Sequence, residues 1–291
     1  MTTATETDVH KLPALLNALR LPTFRAHWRE VTQAADREGW STAEALALLA
    51  EYELAERQTR RIHRNLAASR LPAGKTLATF DFDRVPEVSR ARVEALAAGD
   101  WIAGAGSLIA IGNSGSGKTH LLAAIGHALI EAGYKVLYAR TTDMVQRLQA
   151  ARRDLTLERE LARLDKVHLL ILDDITYAQK DQAETSVLFE LIARRYETRS
   201  LAVAANQPFS AWEQVFPDRA MTVAAIDRLV HHATILELNV ESYRQRAAAG
   251  RRRYEVDADH SQADAEASSS GDNPDDHSDN NPNGGDDPNL T

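Results

Sequence analysis

The sequence predicts an α/β protein: a parallel sheet with helices on both faces, a small all-helical segment ahead of it and an acidic tail behind it. Three observations carry this expectation. Short apolar runs alternate with helical stretches from Ser107 onward, leucines recur at helical spacing within residues 12–70, and residues 255–291 hold eleven acids but no lysine or arginine. A chain of 291 residues that is 44% hydrophobic can bury a sizeable core.

In the first segment, Leu12, Leu15, Leu16 and Leu19 precede Pro22 at helical spacing. Ser41 followed by Glu44 is a capping-box signature, and it opens a helix carrying Ala45, Leu46, Leu48, Leu49 and Leu54. That helix runs into Arg57, Arg60, Arg61, Arg64 and Arg70 with no acid from Arg57 to Arg70, and Leu71-Pro72-Ala73-Gly74 ends it. Residues 75–100 read as a linker with one short helix over 88–98. Beyond them, the apolar runs 108–111, 136–139, 167–172, 201–205 and 235–238 read as buried parallel strands. Helices are expected over 119–132, 143–153, 182–196 and 224–231. There is no internal repeat. The expected divisions are a helical segment over 1–74, an α/β domain with its linker over 75–254, and a disordered tail over 255–291.

Composition narrows the chemistry. The absence of cysteine excludes disulfides and cysteine-based metal sites and is compatible with a reducing cytosol. The first residues lack a basic segment followed by an apolar run, and no stretch is long and apolar enough to span a membrane, so a cytoplasmic protein without a membrane partner is expected. The net charge of −8 is local: setting aside the eleven acids of 255–291 leaves +3 on residues 1–254. The tail reads either as a solubilising appendage or as a mobile polyanion that competes for a basic surface.

Gly112-Asn113-Ser114-Gly115-Ser116-Gly117-Lys118-Thr119 matches the phosphate-binding pattern G-x-x-x-x-G-K-[ST]. Glycines let successive backbone N–H groups turn inward as an anion nest at the positive end of the next helix. Lys118 is expected to reach the β- and γ-phosphates of ATP, with the Thr119 hydroxyl on Mg²⁺. The stretch Leu169-Leu170-Ile171-Leu172-Asp173-Asp174 is a buried strand delivering two acids at its carboxyl end, where ligands bind in open α/β sheets. Asp173 would hold the Mg²⁺ hydration shell and Asp174 would orient or deprotonate the attacking water; a lone acid there could instead cap the next helix. Asn206 ends the strand 201–205 at the level of the γ-phosphate, or simply makes a turn before Pro208. The Arg57–Arg70 run reads as a phosphate- or partner-contacting face, with Arg57, Arg60, Arg61 and Arg64 as candidate DNA contacts, or as an ordinary solvated helix face.

Taken in order, residues from about 12 to 250 resemble the IstB-like ATP-binding proteins, AAA+ ATPases related to the helicase loader DnaC and the initiator DnaA. The resemblance is carried by Ala68-Ser69-Arg70-Leu71-Pro72, Phe80-Asp81-Phe82, Gly112 to Thr119 followed by His120-Leu121, and Asp173-Asp174. It continues through Asn206-Gln207-Pro208-Phe209-Ser210-Ala211-Trp212, Ala225-Ile226-Asp227-Arg228-Leu229 and Ser242-Tyr243-Arg244. It implies a P-loop AAA+ fold, a nucleotide-binding stretch from Gly112 through His120, and an ATPase that forms a homo-oligomer with ATP on duplex DNA. Such an ATPase directs a cognate transposase to its target. A helicase loader of the DnaC kind is the alternative the same resemblance offers. By resemblance too, Asn206 is the sensor-1 residue, Arg228 an arginine finger for a neighbour's nucleotide, and Arg244 a sensor-2-like residue. Ala204-Ala205 stand where hydroxyl residues often precede that Asn, and the tail lies outside the family core.

Overall fold

The computed structural model describes residues 9–176, 180–214 and 216–239. After a 3-10 turn at Val9–Lys11, three helices follow: α1 (Leu12–Ala18), α2 (Pro22–Glu38) and α3 (Thr42–Ser69). Pro22 occupies the first turn of α2, where a missing N–H costs nothing, so the proline opens a helix rather than only ending one. The capping box expected at Ser41 and Glu44 forms, with Ser41 N donating to Glu44 Oε2 at 2.7 Å and Glu44 N to Ser41 Oγ at 3.2 Å. α3 is about 42 Å long at 1.5 Å per residue and serves two cores. Ala45 and Leu49 of its first half close a small cluster with Val31 and Ala35 of α2. Ile62 of its second half, and Leu71 just after it, pack against the core of the sheet.

The linker holds more structure than one helix: 3-10 turns at Leu77–Thr79 and Phe82–Arg84, then α4 (Arg90–Ala98) and α5 (Asp100–Ala103). The rest alternates: β1 (Ser107–Gly112), α6 (Lys118–Glu131), β2 (Val136–Arg140), α7 (Thr141–Arg153), α8 (Leu157–Leu164), β3 (Leu169–Asp173), α9 (Gln182–Arg195), β4 (Ser200–Ala205), α10 (Arg219–Val230) and β5 (Ala233–Leu238). Three expectations need correction. The helix α8 was not foreseen, although Leu157, Leu161 and Leu164 repeat at helical spacing and the last two are buried. α10 starts at Arg219 rather than 224, because Asp218 caps it by accepting from Met221 N at 2.9 Å. The third strand is also shifted, since Val167 N is taken by the Leu164 carbonyl in the turn that ends α8.

All five strands are parallel, in the order β2-β3-β4-β1-β5. Alternate residues serve opposite cores, as a period of two demands. Leu169 and Ile171 of β3, Leu108 and Ala110 of β1 and Ala202 and Ala204 of β4 pack with α4, α6 and the linker residues Phe80, Val85 and Val88. Leu170 and Leu172, Ile109, and Leu201 and Val203 pack on the other face with residues of α7, α8, α9 and α10. Each fully buried Leu or Ile contributes about 1.5–3 kcal/mol, so the sheet is a rigid platform whose carboxyl edge holds its position. Because β4 lies between β1 and β3, whatever follows β4 stands between the loop after β1 and the acids ending β3. Among the described residues, no helix is long and apolar enough to cross a membrane.

Candidate functional site

The loop from Gly112 to Gly117 joins β1 to α6 and is shaped by backbone that side chains would obstruct. A Cβ on Gly112 would lie 2.4 Å from the Leu238 carbonyl oxygen and 2.9 Å from Ser116 Oγ. Gly117, immediately before α6, has φ +102°, a conformation that L residues rarely adopt. Lys118 is buried, and its Nζ donates to the carbonyls of Gly112 at 2.7 Å and Asn113 at 2.8 Å. Ser116 Oγ is buried without a hydrogen-bond partner among the described residues. A tight backbone loop, a desolvated ammonium folded over it and an unsatisfied hydroxyl inside it suit an anion such as a polyphosphate.

The acids stand beside this loop. Thr119 Oγ1 donates to Asp173, lying 2.9 Å from Oδ2 and 3.1 Å from Oδ1. Asp173 is buried; Tyr138 of β2 donates to its Oδ2 at 2.6 Å, and Thr141 Oγ1 donates to its backbone carbonyl at 2.8 Å. Burial, with the hydrogen bond to Asp173 and the charges of Asp173 and Asp174, pushes the Tyr138 phenol well above its ordinary value, so it remains a donor. A hydroxyl beside a buried carboxylate is an oxygen donor set of the kind a hard cation such as Mg²⁺ takes, completed by water and phosphate.

Asp174 leaves the strand with φ +56°, a left-handed conformation that Asp tolerates better than most residues. There its Oδ1 accepts from Asn206 Nδ2 at 3.3 Å. Asn206 is held in turn, its backbone N donating to the buried Thr176 Oγ1 at 3.0 Å. Trp212, fully buried, fixes the next residues by donating from Nε1 to the Gln207 carbonyl at 3.1 Å. The sheet therefore brings together Lys118, Thr119, Asp173, Asp174 and Asn206 from three strand ends. Thr176, Tyr138 and Thr141 support them and were not foreseen. Their roles depend on which strands are neighbours, which no local spacing shows.

His120 lies elsewhere in the site. Its Nε2 sits 3.1 Å from Thr79 Oγ1 and 3.3 Å from the Thr76 carbonyl, and its ring meets Phe80 edge-on at 5.3 Å. Burial depresses its pKa, further lowered by Lys75 against the opposing pull of the Thr76 carbonyl. It therefore joins the linker to the phosphate loop instead of offering the loop a charge. Arg228 is exposed on α10 and donates to the Ala224 carbonyl at 3.1 Å. With Glu197, Leu201 and His232 it lines a small cavity that includes Ser107, the first residue of β1. The strand from Ser107 to Gly112 spans roughly 16 Å, so Arg228 is at the opposite edge of the sheet from its own phosphate loop. Arg244 and residues 255–291 lie outside the described residues.

The arginine run of α3 is partly occupied. Arg57 Nε donates to Glu53 Oε1 at 2.8 Å and its Nη2 to the Arg20 carbonyl at 2.7 Å. Arg60 pairs with Glu56 at 3.0 Å and reaches Thr23 Oγ1 at 3.2 Å. Glu53, buried, also accepts from the backbone N of Thr23 at 2.8 Å and of Phe24 at 3.3 Å, capping α2 from a neighbouring helix. Arg61 lies against Gly133, and both Arg61 and Arg64 are exposed.

Fold and site together define the class: a P-loop α/β protein whose phosphate loop stands beside two acids and an amide at the carboxyl edge of a parallel sheet. Over residues 14–250 the chain matches the family described as IstB-like ATP binding protein, and it belongs to that family. It is 59% identical over 248 residues to an insertion-sequence ATP-binding protein of Sinorhizobium fredii, covering 85% of this chain and 83% of that protein. It is 34% identical over 236 residues to the ATP-binding protein of insertion sequence IS21 from Pseudomonas aeruginosa, covering 81% and 89%. Among solved structures, a DNA replication initiation factor superposes with a TM-score of 0.51 at 19% identity, over 65% of this chain and 57% of that one. AMPPCP-bound DnaA from Aquifex aeolicus does so with a TM-score of 0.50 at 19% identity, over 60% and 52%. At that identity the two structures speak for the fold alone.

Proposed function

We propose that this protein is an ATP-hydrolysing helper of DNA transposition, which assembles with ATP on duplex DNA and assists a transposase in choosing its target. The observation that supports this most is the convergence of Lys118, Thr119, Asp173, Asp174 and Asn206 at one sheet edge, in a chain whose relatives are ATP-binding proteins of insertion sequences. On this reading, the loop amides from Gly112 to Lys118 receive the phosphates, and Lys118 turns from the loop carbonyls to them. Thr119 and Asp173 hold Mg²⁺, which when bound neutralises charge on the β- and γ-phosphates. Asp174 orients the attacking water and accepts its proton, and Asn206 keeps the Asp174 carboxylate aimed. Arg228, too far from its own loop to serve it, completes the site of an adjacent subunit. Residues 1–74 form the DNA- or partner-binding part and 75–254 the ATPase part. Arg61 and Arg64 meet duplex phosphates, with Arg57 and Arg60 contributing what their intramolecular pairs leave free.

Lys118→Ala and Asp174→Ala test the assignment within one site. Nucleotide binding, followed with a fluorescent ATP analogue, is expected to be abolished in Lys118→Ala and retained in Asp174→Ala. Turnover is expected to fall by about 10²–10⁴-fold in Asp174→Ala. Equal loss of binding in both variants would refute the division of roles.

A further inference from the structure

Asp173 is fixed by donors from three different elements: Thr119 at the start of α6, Tyr138 in β2, and Thr141 at the start of α7 through the backbone carbonyl. Thr119 is the hydroxyl that pairs with Asp173 in the donor set for Mg²⁺, so it cannot serve as an anchor independent of the metal. Thr141 holds the backbone and leaves the carboxylate free to rotate. Tyr138 is the remaining donor to that carboxylate among the described residues. It also lies off the phosphate loop, on the neighbouring strand, where Tyr138 pairs with Ile171 and Arg140 with Asp173. Residues 171 and 173 share a sheet face, so the phenol reaches a diagonal neighbour, a span that an aromatic side chain covers. Carboxylate oxygens are acceptors only, and a phenol is the matching donor. A phenylalanine would fill the same place and leave Oδ2 without this bond.

We propose that Tyr138 is a positioning residue for the metal-holding carboxylate, locking Asp173 in the single orientation in which it and Thr119 receive Mg²⁺. The proposal rests on the reading of this site as one for ATP with Mg²⁺. Ligands to a metal are oriented by hydrogen bonds from residues behind them, and removing such a partner typically costs 10–100-fold in metal affinity. Tyr138 belongs to neither the phosphate loop nor the acid pair, so its loss falls on the metal and spares the metal-free contacts to nucleotide.

The test is a Mg²⁺ titration of fluorescent ATP-analogue binding to the full chain, repeated with Mn²⁺ and read by electron paramagnetic resonance. Tyr138→Phe is expected to need about 10-fold more of either cation for half-maximal effect, and to bind the analogue in EDTA as the wild type does. Tyr138→His, which restores a ring donor, is expected to recover part of the loss. It also keeps the test open if the phenylalanine variant folds poorly by thermal melting. An unchanged or lower cation midpoint in Tyr138→Phe would overturn the proposal, as would an equal fall in EDTA, which would mark a general packing role. A wild-type chain that binds no nucleotide with or without Mg²⁺ would instead overturn the ATP reading beneath it.

Discussion

The carboxyl edge of the sheet and the arginine run of α3 are both dense in charge, and they are built on opposite plans. At the sheet edge, Lys118 and Asp173 are buried, and the side chains that matter are bonded across elements distant in sequence. Along α3 the arginines are exposed, and the bonds of Arg57 and Arg60 run to acids one turn earlier and to the corner between α1 and α2. Burial makes the first set costly to build, and the hydrogen bonds of Asp173 and Asp174 offset that cost while aiming their carboxylates. Exposure makes the second set inexpensive, so its charge alone does not name a partner.

The comparison breaks most sharply at Arg228, which is exposed like the α3 arginines yet is assigned to the chemistry of a neighbour. Arg228→Ala is expected to lower turnover by about 10³–10⁵-fold, the range that arginine fingers contribute in other P-loop enzymes, with nucleotide binding kept. Mixing Arg228→Ala with Lys118→Ala should restore part of the activity, because a mixed interface joins one intact loop to one intact arginine. Turnover that stays at the single-variant level at every ratio, with mixed assembly verified, would make Arg228 an ordinary surface residue.

A smaller effect separates the arginines within α3. Arg57→Ala is expected to cost about 1–2 kcal/mol of stability, since it removes a charge-assisted bond to a buried acid. Arg64→Ala should stay within about 0.5 kcal/mol. Thermal or urea melting measures both, and equal costs would erase the distinction between bracing and free arginines. Burial alone would raise the Glu53 carboxyl, but the Arg57 guanidinium and the amides of Thr23 and Phe24 outweigh it and hold it below the usual carboxylate range. A depressed pKa in the folded state means that the stabilisation is complete at neutral pH. It fades as pH falls below about 4.3, the ordinary Glu value, and through the lower folded value. Glu53→Gln should flatten that acid limb of the stability curve.

What could be read in advance follows the same divide. The phosphate loop is one contiguous string, and the strand ending in Asp173 and Asp174 has a burial pattern written in its own residues, so both were legible with the α/β alternation. Asn206 could be placed at a strand end, but its bond to Asp174 depends on β4 lying beside β3. Tyr138 looked like one more apolar strand residue for the same reason, since β2 had to be known as the neighbour of β3. The arginine run is misleading in one respect: residues 57–70 hold no acid, yet Glu53 and Glu56 sit one helical turn before Arg57 and Arg60. In α8 four charged residues out of eight mask the helical spacing of Leu157, Leu161 and Leu164.

The central claim, that ATP converts subunits with individually weak contacts into an assembly on duplex DNA, is tested most directly by a salt titration of duplex binding with and without ATP. Contacts to phosphate need no base readout and lose affinity linearly in log salt, and contacts on side-by-side subunits add through linkage. The account predicts binding that requires ATP, fails in Lys118→Ala, varies little with sequence and weakens steeply with salt. Reversing the charges of Arg61 and Arg64 should reduce the salt slope while leaving nucleotide binding intact. Duplex binding of equal strength with and without ATP, or in Lys118→Ala, would contradict it.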